Sequence, residues 1–70
     1  MIPLTFAGIG EENIIKRIGG SDDVKHHLEN LGFTVGGRVR VINTLSGNVI
    51  VSIKESRVAI GKDMAAKIFI

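Results

Sequence analysis

The sequence predicts a mainly β fold: a small barrel of about five antiparallel strands, with one α-helix inserted at about residues 22–31 and a short helical turn near 62–67. Two patterns lead to this prediction. Apolar and polar residues alternate between residues 38 and 60, which is the period of half-buried strands. Over residues 22–31 the apolar residues instead recur every three or four positions, as on a helix that covers a core. Because the chain has only 70 residues, we expect one domain over residues 1–70.

The amino-terminal part is predicted to form a turn followed by one strand. Gly8 and Gly10 mark the turn, and residues 12–18 are rich in isoleucine with two basic residues. Since this segment does not alternate strictly, the strand is expected to contain a bulge. The pair Gly19-Gly20 ends it.

The inserted helix has sequence signals at both ends. Ser21 or Asp22 can accept hydrogen bonds from the free N–H groups of the first turn. Gly32 stands where a left-handed residue commonly ends a helix. The apolar residues between these signals form one stripe that is expected to pack on the core: Val24, Leu28 and Leu31.

Three contiguous antiparallel strands are predicted in the second half of the chain. Over residues 38–41, valine faces inward and arginine faces outward. A turn at residues 46–48 leads to a second strand at 49–54. A turn at Glu55-Ser56 then leads to a third strand at 57–60.

The carboxy-terminal residues are predicted to add a helical turn and a last strand. Asp63 can cap one turn of helix over residues 64–66. Residues 68–70 are apolar and are expected to form a strand that closes the sheet. The predicted strands and the inserted helix together complete the barrel.

The stretch LENLGFTVG at residues 28–36 resembles the helix-to-turn signature of the FeoA family, L-x-x-L/M-G-h-x-P-G, in which h is apolar. Five residues match this signature: Leu28, Leu31, Gly32, Phe33 and Gly36. Val35 stands where proline is usual, which is expected to cost the turn rigidity without abolishing it. The resemblance continues along the strands at residues 38–41 and 57–60 and through the closing pattern A-x-x-I-x-h at residues 65–70.

This resemblance implies both a fold and a function. The implied fold is an SH3-like barrel, similar also to the carboxy-terminal domain of metal-dependent repressors of the DtxR type. The implied function is that of a cytoplasmic, non-catalytic accessory of bacterial ferrous iron uptake, which binds the cytoplasmic GTPase part of the FeoB transporter. Because a shared fold does not fix function, the alternative is a free-standing regulatory SH3-like domain akin to the repressor module.

Composition argues against several other classes of protein. The chain has no cysteine and no serine placed beside a histidine and a further base, so an enzyme is not expected. Its only aromatic residues, Phe6, Phe33 and Phe69, are all expected in the core. Because grooves for proline-rich peptides and platforms for nucleic-acid bases need exposed aromatic residues, neither partner is expected. No apolar run approaches the ~20 residues of a spanning helix, so membrane insertion is not expected either.

The candidate metal ligands are Asp22, His26 and His27. Imidazole commonly binds transition metals such as iron or zinc, and Asp22 lies one helical turn before His26. Adjacent histidines, however, point about 100° apart on a helix, and no third close ligand is evident. An ordinary solvated helix face is therefore the alternative. No cofactor is required, and a transition metal ion is left open.

The candidate partner-binding residues are Arg38, Arg40, Lys54 and Leu45. Alternation along the strands sends the three cations outward, where together they can form a positive patch for an acidic partner. Leu45 is a large apolar residue at a presumed turn, which can mark a contact surface. The alternative is that outward strand positions are polar in any case. Unpaired strand edges leave a homodimer open.

Overall fold

The computed structural model describes all 70 residues and has a mainly β architecture, as predicted. In chain order the elements are a 3-10 helix at Leu4–Phe6, β1 at Glu12–Ile14, β2 at Arg17–Ile18, α1 at Asp22–Leu31, β3 at Arg38–Leu45, β4 at Asn48–Ile53, β5 at Ser56–Gly61, α2 at Lys62–Ala65 and β6 at Ile68–Phe69. The 3-10 helix is the element that the sequence patterns did not predict.

The strands form two antiparallel sheets. One sheet has four strands in the order β1-β3-β4-β5, and the other pairs β2 with β6. The terminal strand therefore closes the small sheet and does not join the meander directly. Both sheets are linked by the segment between β1 and β2, in which the chain passes from one sheet to the other.

The prediction of one bulged strand over residues 12–18 is wrong, because its two halves find different partners. The N–H of Ile15 donates to the carbonyl of Gly37 over 2.9 Å, whereas the N–H of Lys16 donates to the carbonyl of Phe69 over 2.8 Å. The side chain of Ile15 is buried at this junction. A register shift typical of a bulge lies instead in β3, between Val41 and Asn43.

Helix α1 has the predicted bounds, and both of its ends use local signals. The hydroxyl of Ser21 accepts a hydrogen bond from the N–H of Val24 over 3.3 Å, so Ser21 rather than Asp22 is the cap. At the other end Gly32 has φ 107°, and the N–H of Phe33 donates to the carbonyl of Leu28 over 2.9 Å. This is the Schellman arrangement, which favours glycine because the left-handed region penalises a Cβ atom.

Tight turns connect the strands of the meander. Ser46 and Gly47, both with positive φ, join β3 to β4, as a two-residue hairpin turn requires. Lys54 and Glu55, also with positive φ, join β4 to β5. The predicted turn at residues 46–48 is therefore one residue too long. The predicted turn at Glu55-Ser56 lies one residue too far along the chain. The shift moves Lys54 out of the strand and into the turn.

Helix α2 lies within the predicted helical turn near residues 62–67, but Asp63 does not cap it. Its first residue is Lys62, whose N–H donates to the carbonyl of Gly47 over 3.0 Å. Gly61 precedes the helix, and no side chain accepts a hydrogen bond there. Asp63 instead lies within the first turn, where its negative charge complements the helix dipole.

A single cluster of apolar side chains fills the space between the sheets and α1. Its buried members are Leu4, Ile15, Leu28, Phe33, Val39, Val41, Val49, Val51, Ile53, Ile60, Ala65, Ile68 and Ile70. The other two residues of the predicted helix stripe, Val24 and Leu31, are partly buried against this cluster. The inward positions of the meander are confirmed, because the buried residues alternate with exposed ones at the start of β3 and with half-buried ones along β4.

The assignment of every phenylalanine to the core is wrong for two of the three residues. Phe33 is fully buried, but Phe6 has 73% of its surface exposed. Phe69 is half-buried and lies under the guanidinium of Arg17, which is 5.4 Å from the ring centroid. The 3-10 helix explains the exposure of Phe6, because it turns Leu4 inward and leaves Phe6 on the outside. The argument against base stacking therefore loses part of its basis.

The turn that contains Val35 forms without proline. The N–H of Gly37 donates to the carbonyl of Thr34 over 2.9 Å, and Gly36 has φ 87°. A positive φ at the third residue is the signature of a type II turn, whose second residue favours proline. Val35 holds that second position, and its side chain is exposed.

Replacing Val35 with proline should stabilise the protein by about 0.4–1 kcal/mol, because proline restricts the unfolded chain more than the folded turn. Chemical denaturation should show a higher midpoint with an unchanged slope. Val35→Ala is the control and should bring no gain. A lower midpoint for the proline variant would show that the turn does not have type II geometry.

Candidate functional site

A groove of about 620 Å³ lies on the outward side of the four-stranded sheet. Its walls are formed by strands β1, β3 and β4, by the turn before β3 and by the turn after β4. Nine residues line it, of which only Val39 is hydrophobic: Glu12, Gly36, Gly37, Arg38, Val39, Arg40, Ser52, Lys54 and Glu55. The groove thus collects charged side chains from β1, β3 and the β4–β5 turn.

Strand register places the groove residues in rows across the sheet. Arg40 lies opposite Glu12 on β1 and opposite Ser52 on β4. Ser52 in turn lies opposite Arg57 on β5. Because directly opposed residues in an antiparallel sheet point to the same face, this row continues the charged surface as far as Arg57. Arg38 lies one row away, opposite Ile14.

Glu12 forms the two ion pairs of the structure, both with arginines of the groove. Its Oε2 atom is 3.5 Å from Nη2 of Arg40, and its Oε1 atom is 3.9 Å from Nη1 of Arg38. The side chains are 46% exposed for Glu12, 49% for Arg40 and 74% for Arg38. Exposed pairs of this kind contribute only about 0–1 kcal/mol, so the three side chains can exchange partners easily.

The structure brings together three of the four predicted partner-binding residues. Arg38 and Arg40 point outward from β3 as predicted, and both line the groove. Lys54 reaches the groove from the β4–β5 turn rather than from a strand. Leu45 lies at the opposite end of β3, outside the groove, with 60% of its surface exposed.

Sequence reasoning missed Glu12, and only its charge could have drawn attention to it. Which arginine it faces depends on the pairing of β1 with β3, two strands that are separated by helix α1. The pairing of Arg57 with Ser52 depends on the turn between β4 and β5, which lies one residue earlier than predicted.

The three predicted metal ligands lie on the exposed side of α1. Asp22, His26 and His27 are all exposed. No group of three or more histidine, cysteine, aspartate or glutamate side chains is arranged to hold a metal ion. Metal binding by these residues therefore stays a prediction, without a ligand set assembled around it.

Other exposed apolar side chains lie outside the groove. Phe6 and Ile9 are 73% and 64% exposed in the segment before β1. Ile14 and Val35 are also exposed, near the end of the sheet where Gly36 pairs with Ile15. No helix of the protein combines the length and the apolar character that crossing a membrane requires.

Together, the fold and the groove define a class: small mainly β domains that present a charged groove on one sheet. The chain belongs to the FeoA family, because the family model described as the FeoA domain matches residues 2–70. The resemblance inferred from residues 28–36 is thereby confirmed. Membership places the chain among proteins associated with ferrous iron transport.

Individual relatives agree with this assignment. The chain is 40% identical to a Methanocaldococcus jannaschii protein named as an Fe(2+) transport protein A, over 100% of this chain and 85% of the relative. It is 31% identical to a crystal structure described as an iron uptake regulatory protein (FeoA), with a TM-score of 0.88, over 96% of this chain and 89% of the other.

A likeness to repressors extends to the fold alone. The chain superposes on a manganese-dependent transcriptional repressor with a TM-score of 0.85 and 22% identity, over 94% of this chain and 38% of the repressor. The predicted similarity to metal-dependent repressors is thus confirmed for the fold. What the repressor binds is not transferred to this chain by the likeness.

Proposed function

We propose that the chain is a non-catalytic accessory of ferrous iron uptake, which acts in the cytoplasm by docking its charged groove on the GTPase part of a FeoB-type transporter. The observation that carries this proposal is the convergence of Arg38, Arg40 and Lys54 on one groove in a member of the FeoA family. The groove offers groups that recognise a charged partner and places no histidine beside its serine.

The charge of the groove favours an acidic partner. Three cations and two carboxylates, those of Glu12 and Glu55, line it, which leaves a local net charge of +1. The whole chain carries a net charge of +2. Complementary charge of this kind raises the rate of encounter and suppresses wrong partners more than it raises affinity. An acidic surface on the GTPase domain is therefore the proposed target.

Leu45 enters the proposal as a separate apolar contact. It is exposed at the tip of the β3–β4 hairpin, at the opposite end of β3 from the groove. Phe6 and Ile9 are exposed as well and offer further apolar surface. A partner large enough to touch both ends of the sheet would add apolar burial to the charged contact.

A second candidate function is that of a free-standing regulatory domain, which the 31% identical protein described as an iron uptake regulatory protein favours. Such a domain would act on a DNA-binding regulator rather than on a transporter. The two candidates differ in the partner that the chain captures, so one binding assay with both partners separates them.

The proposal predicts that the immobilised chain captures the cytoplasmic domain of the organism's own FeoB-type transporter. Capture should weaken as salt rises from about 0.05 M to about 0.3 M, because the Debye length falls from about 14 Å to about 6 Å over this range. The assay is run without nucleotide, with GDP and with a GTP analogue, and an unrelated small GTPase is the control. Absence of capture in all three nucleotide states would refute the proposal.

A further inference from the structure

We propose that Glu12 is an internal competitor for the groove: its carboxylate occupies the place on Arg38 and Arg40 that a carboxylate of an acidic partner protein takes on binding. This inference deepens the proposed function and rests on it for the identity of the partner. The occupant that it assigns to the groove is a protein segment with at least two neighbouring carboxylates.

The geometry of Glu12 points to a contact that is easily displaced. Its two oxygens lie 3.5 and 3.9 Å from the nearest guanidinium nitrogens of Arg40 and Arg38. Direct charge-assisted hydrogen bonds between arginine and a carboxylate are shorter, at about 2.7–2.9 Å, and are often bidentate. Because pairing of β1 with β3 fixes the backbone of Glu12 opposite Arg40, its carboxylate is shared between two arginines and satisfies neither. A carboxylate that arrives from solvent has no such restraint.

The charge balance explains why one carboxylate is not enough. With Glu12 in place, three cations face two carboxylates in the groove, and removal of the Glu12 charge raises the net charge from +1 to +2. A single incoming carboxylate merely replaces that of Glu12, so the exchange contributes little to the free energy of binding. A second carboxylate can reach Lys54, which lines the same groove, or Arg57, which continues the row from Arg40 through Ser52. Glu12 thereby selects multivalent acidic segments over free anions.

The groove fits a protein segment better than a nucleic acid. Single strands are held by aromatic side chains on which bases stack, and no aromatic residue lines the groove. The exposed Phe6 belongs to the segment before β1 and lies outside the groove. The group that already sits on the arginines is a carboxylate, which is the chemistry that an acidic protein segment supplies.

The test compares Glu12→Gln with Glu11→Gln in the full chain. Both variants remove one negative charge from adjacent residues, but Glu11 lies outside the groove and forms no ion pair. The probe is a blocked, fluorescently labelled hexaglutamate peptide, whose binding is followed by anisotropy. E12Q should bind it about three- to tenfold more tightly than the wild type, since two exposed ion pairs no longer compete. E11Q should stay within about twofold, because its charge is screened by solvent.

Two outcomes of this comparison would overturn the inference. Equal gains for E12Q and E11Q would mean that only net charge matters. Weaker binding by E12Q would mean that Glu12 orients the arginines for the ligand instead of blocking them. Equal melting temperatures of both variants and the wild type are required, and the isosteric change at the exposed Glu12 leaves the core untouched.

Two further arms identify the ligand and separate this inference from the proposed function. Inorganic phosphate should not compete with the peptide for binding. The substitution E12Q should raise the affinity for a thymidine oligonucleotide less than it raises the affinity for the peptide. An equal or larger gain for the oligonucleotide would overturn the assignment of a protein ligand. If E12Q strengthens peptide binding but no variant captures the transporter domain, the proposed function fails alone. If the transporter domain binds E12Q and E11Q equally well, the inference about Glu12 fails alone.

Discussion

Replacing Phe33 with alanine is expected to remove a large part of the protein's free energy of unfolding. Phe33 is the largest fully buried side chain, and it follows Gly32, the residue that caps the end of α1. Truncation of a buried phenylalanine costs about 3–5 kcal/mol, because apolar burial is lost and a cavity remains. A domain of this length has only about 4–10 kcal/mol of stability in total. Urea denaturation followed by circular dichroism measures the loss.

Phe6→Ala is the matched control for this prediction. The same atoms are removed, but Phe6 is 73% exposed, so the change in the free energy of unfolding should stay within about 0.5 kcal/mol. A similar loss of stability in both variants would show that the side chain of Phe6 is packed on the core, in contradiction to its exposed position.

Reversing both arginines of the groove, Arg38→Glu with Arg40→Glu, should abolish most of the binding to the transporter domain. Two charges that attract an acidic partner are replaced by two that repel it. The new carboxylates also repel Glu12, which the two arginines attract in the wild type. Like charges that face each other across an interface cost several kcal/mol, so affinity should fall by at least about thirtyfold. Surface plasmon resonance at low salt measures the change.

Lys16→Glu with Lys62→Glu is the control for the double reversal. Each double variant lowers the net charge of the chain by four units, from +2 to −2. Lys16 and Lys62 are exposed and lie outside the groove, so their reversal should alter affinity by about threefold or less. Equal losses in the two double variants would replace the proposed site with a general attraction between charged proteins.

Much of the fold could be predicted from sequence because its determinants are local. The apolar stripe and the flanking residues Ser21 and Gly32 fix α1 within one segment. The alternation along β3 and β4 fixes which side chains face the core, and therefore which arginines face out. Such signals need no knowledge of what lies elsewhere in the chain.

Two of the predictions that were wrong depend on contacts between distant segments. Nothing within residues 12–18 shows that Ile15 pairs with Gly37 while Lys16 pairs with Phe69. The exposure of Phe6 likewise depends on the 3-10 helix that buries Leu4 against the rest of the core. Composition favours buried phenylalanine in general but does not choose which one is buried.

The residues of the groove are placed partly by local sequence patterns and partly by pairing between distant strands. Alternation placed Arg38 and Arg40 on the outside, and both residues are found there. Glu12 reaches them only through the pairing of β1 with β3, and Lys54 joins them because the turn after β4 is one residue earlier than expected. Outward charges can thus be predicted from one strand, whereas their ion pairs require the register between strands.

The most direct test of the central claim is an NMR titration of the isotope-labelled chain with the unlabelled GTPase domain of the FeoB-type transporter. We predict that the backbone amide signals change most at the groove, namely at Glu12, residues 36–40, Ser52, Lys54 and Glu55. Signals of α1 should change least, because the helix does not line the groove. Changes confined to α1, or no change at a saturating concentration of the GTPase domain, would contradict the account.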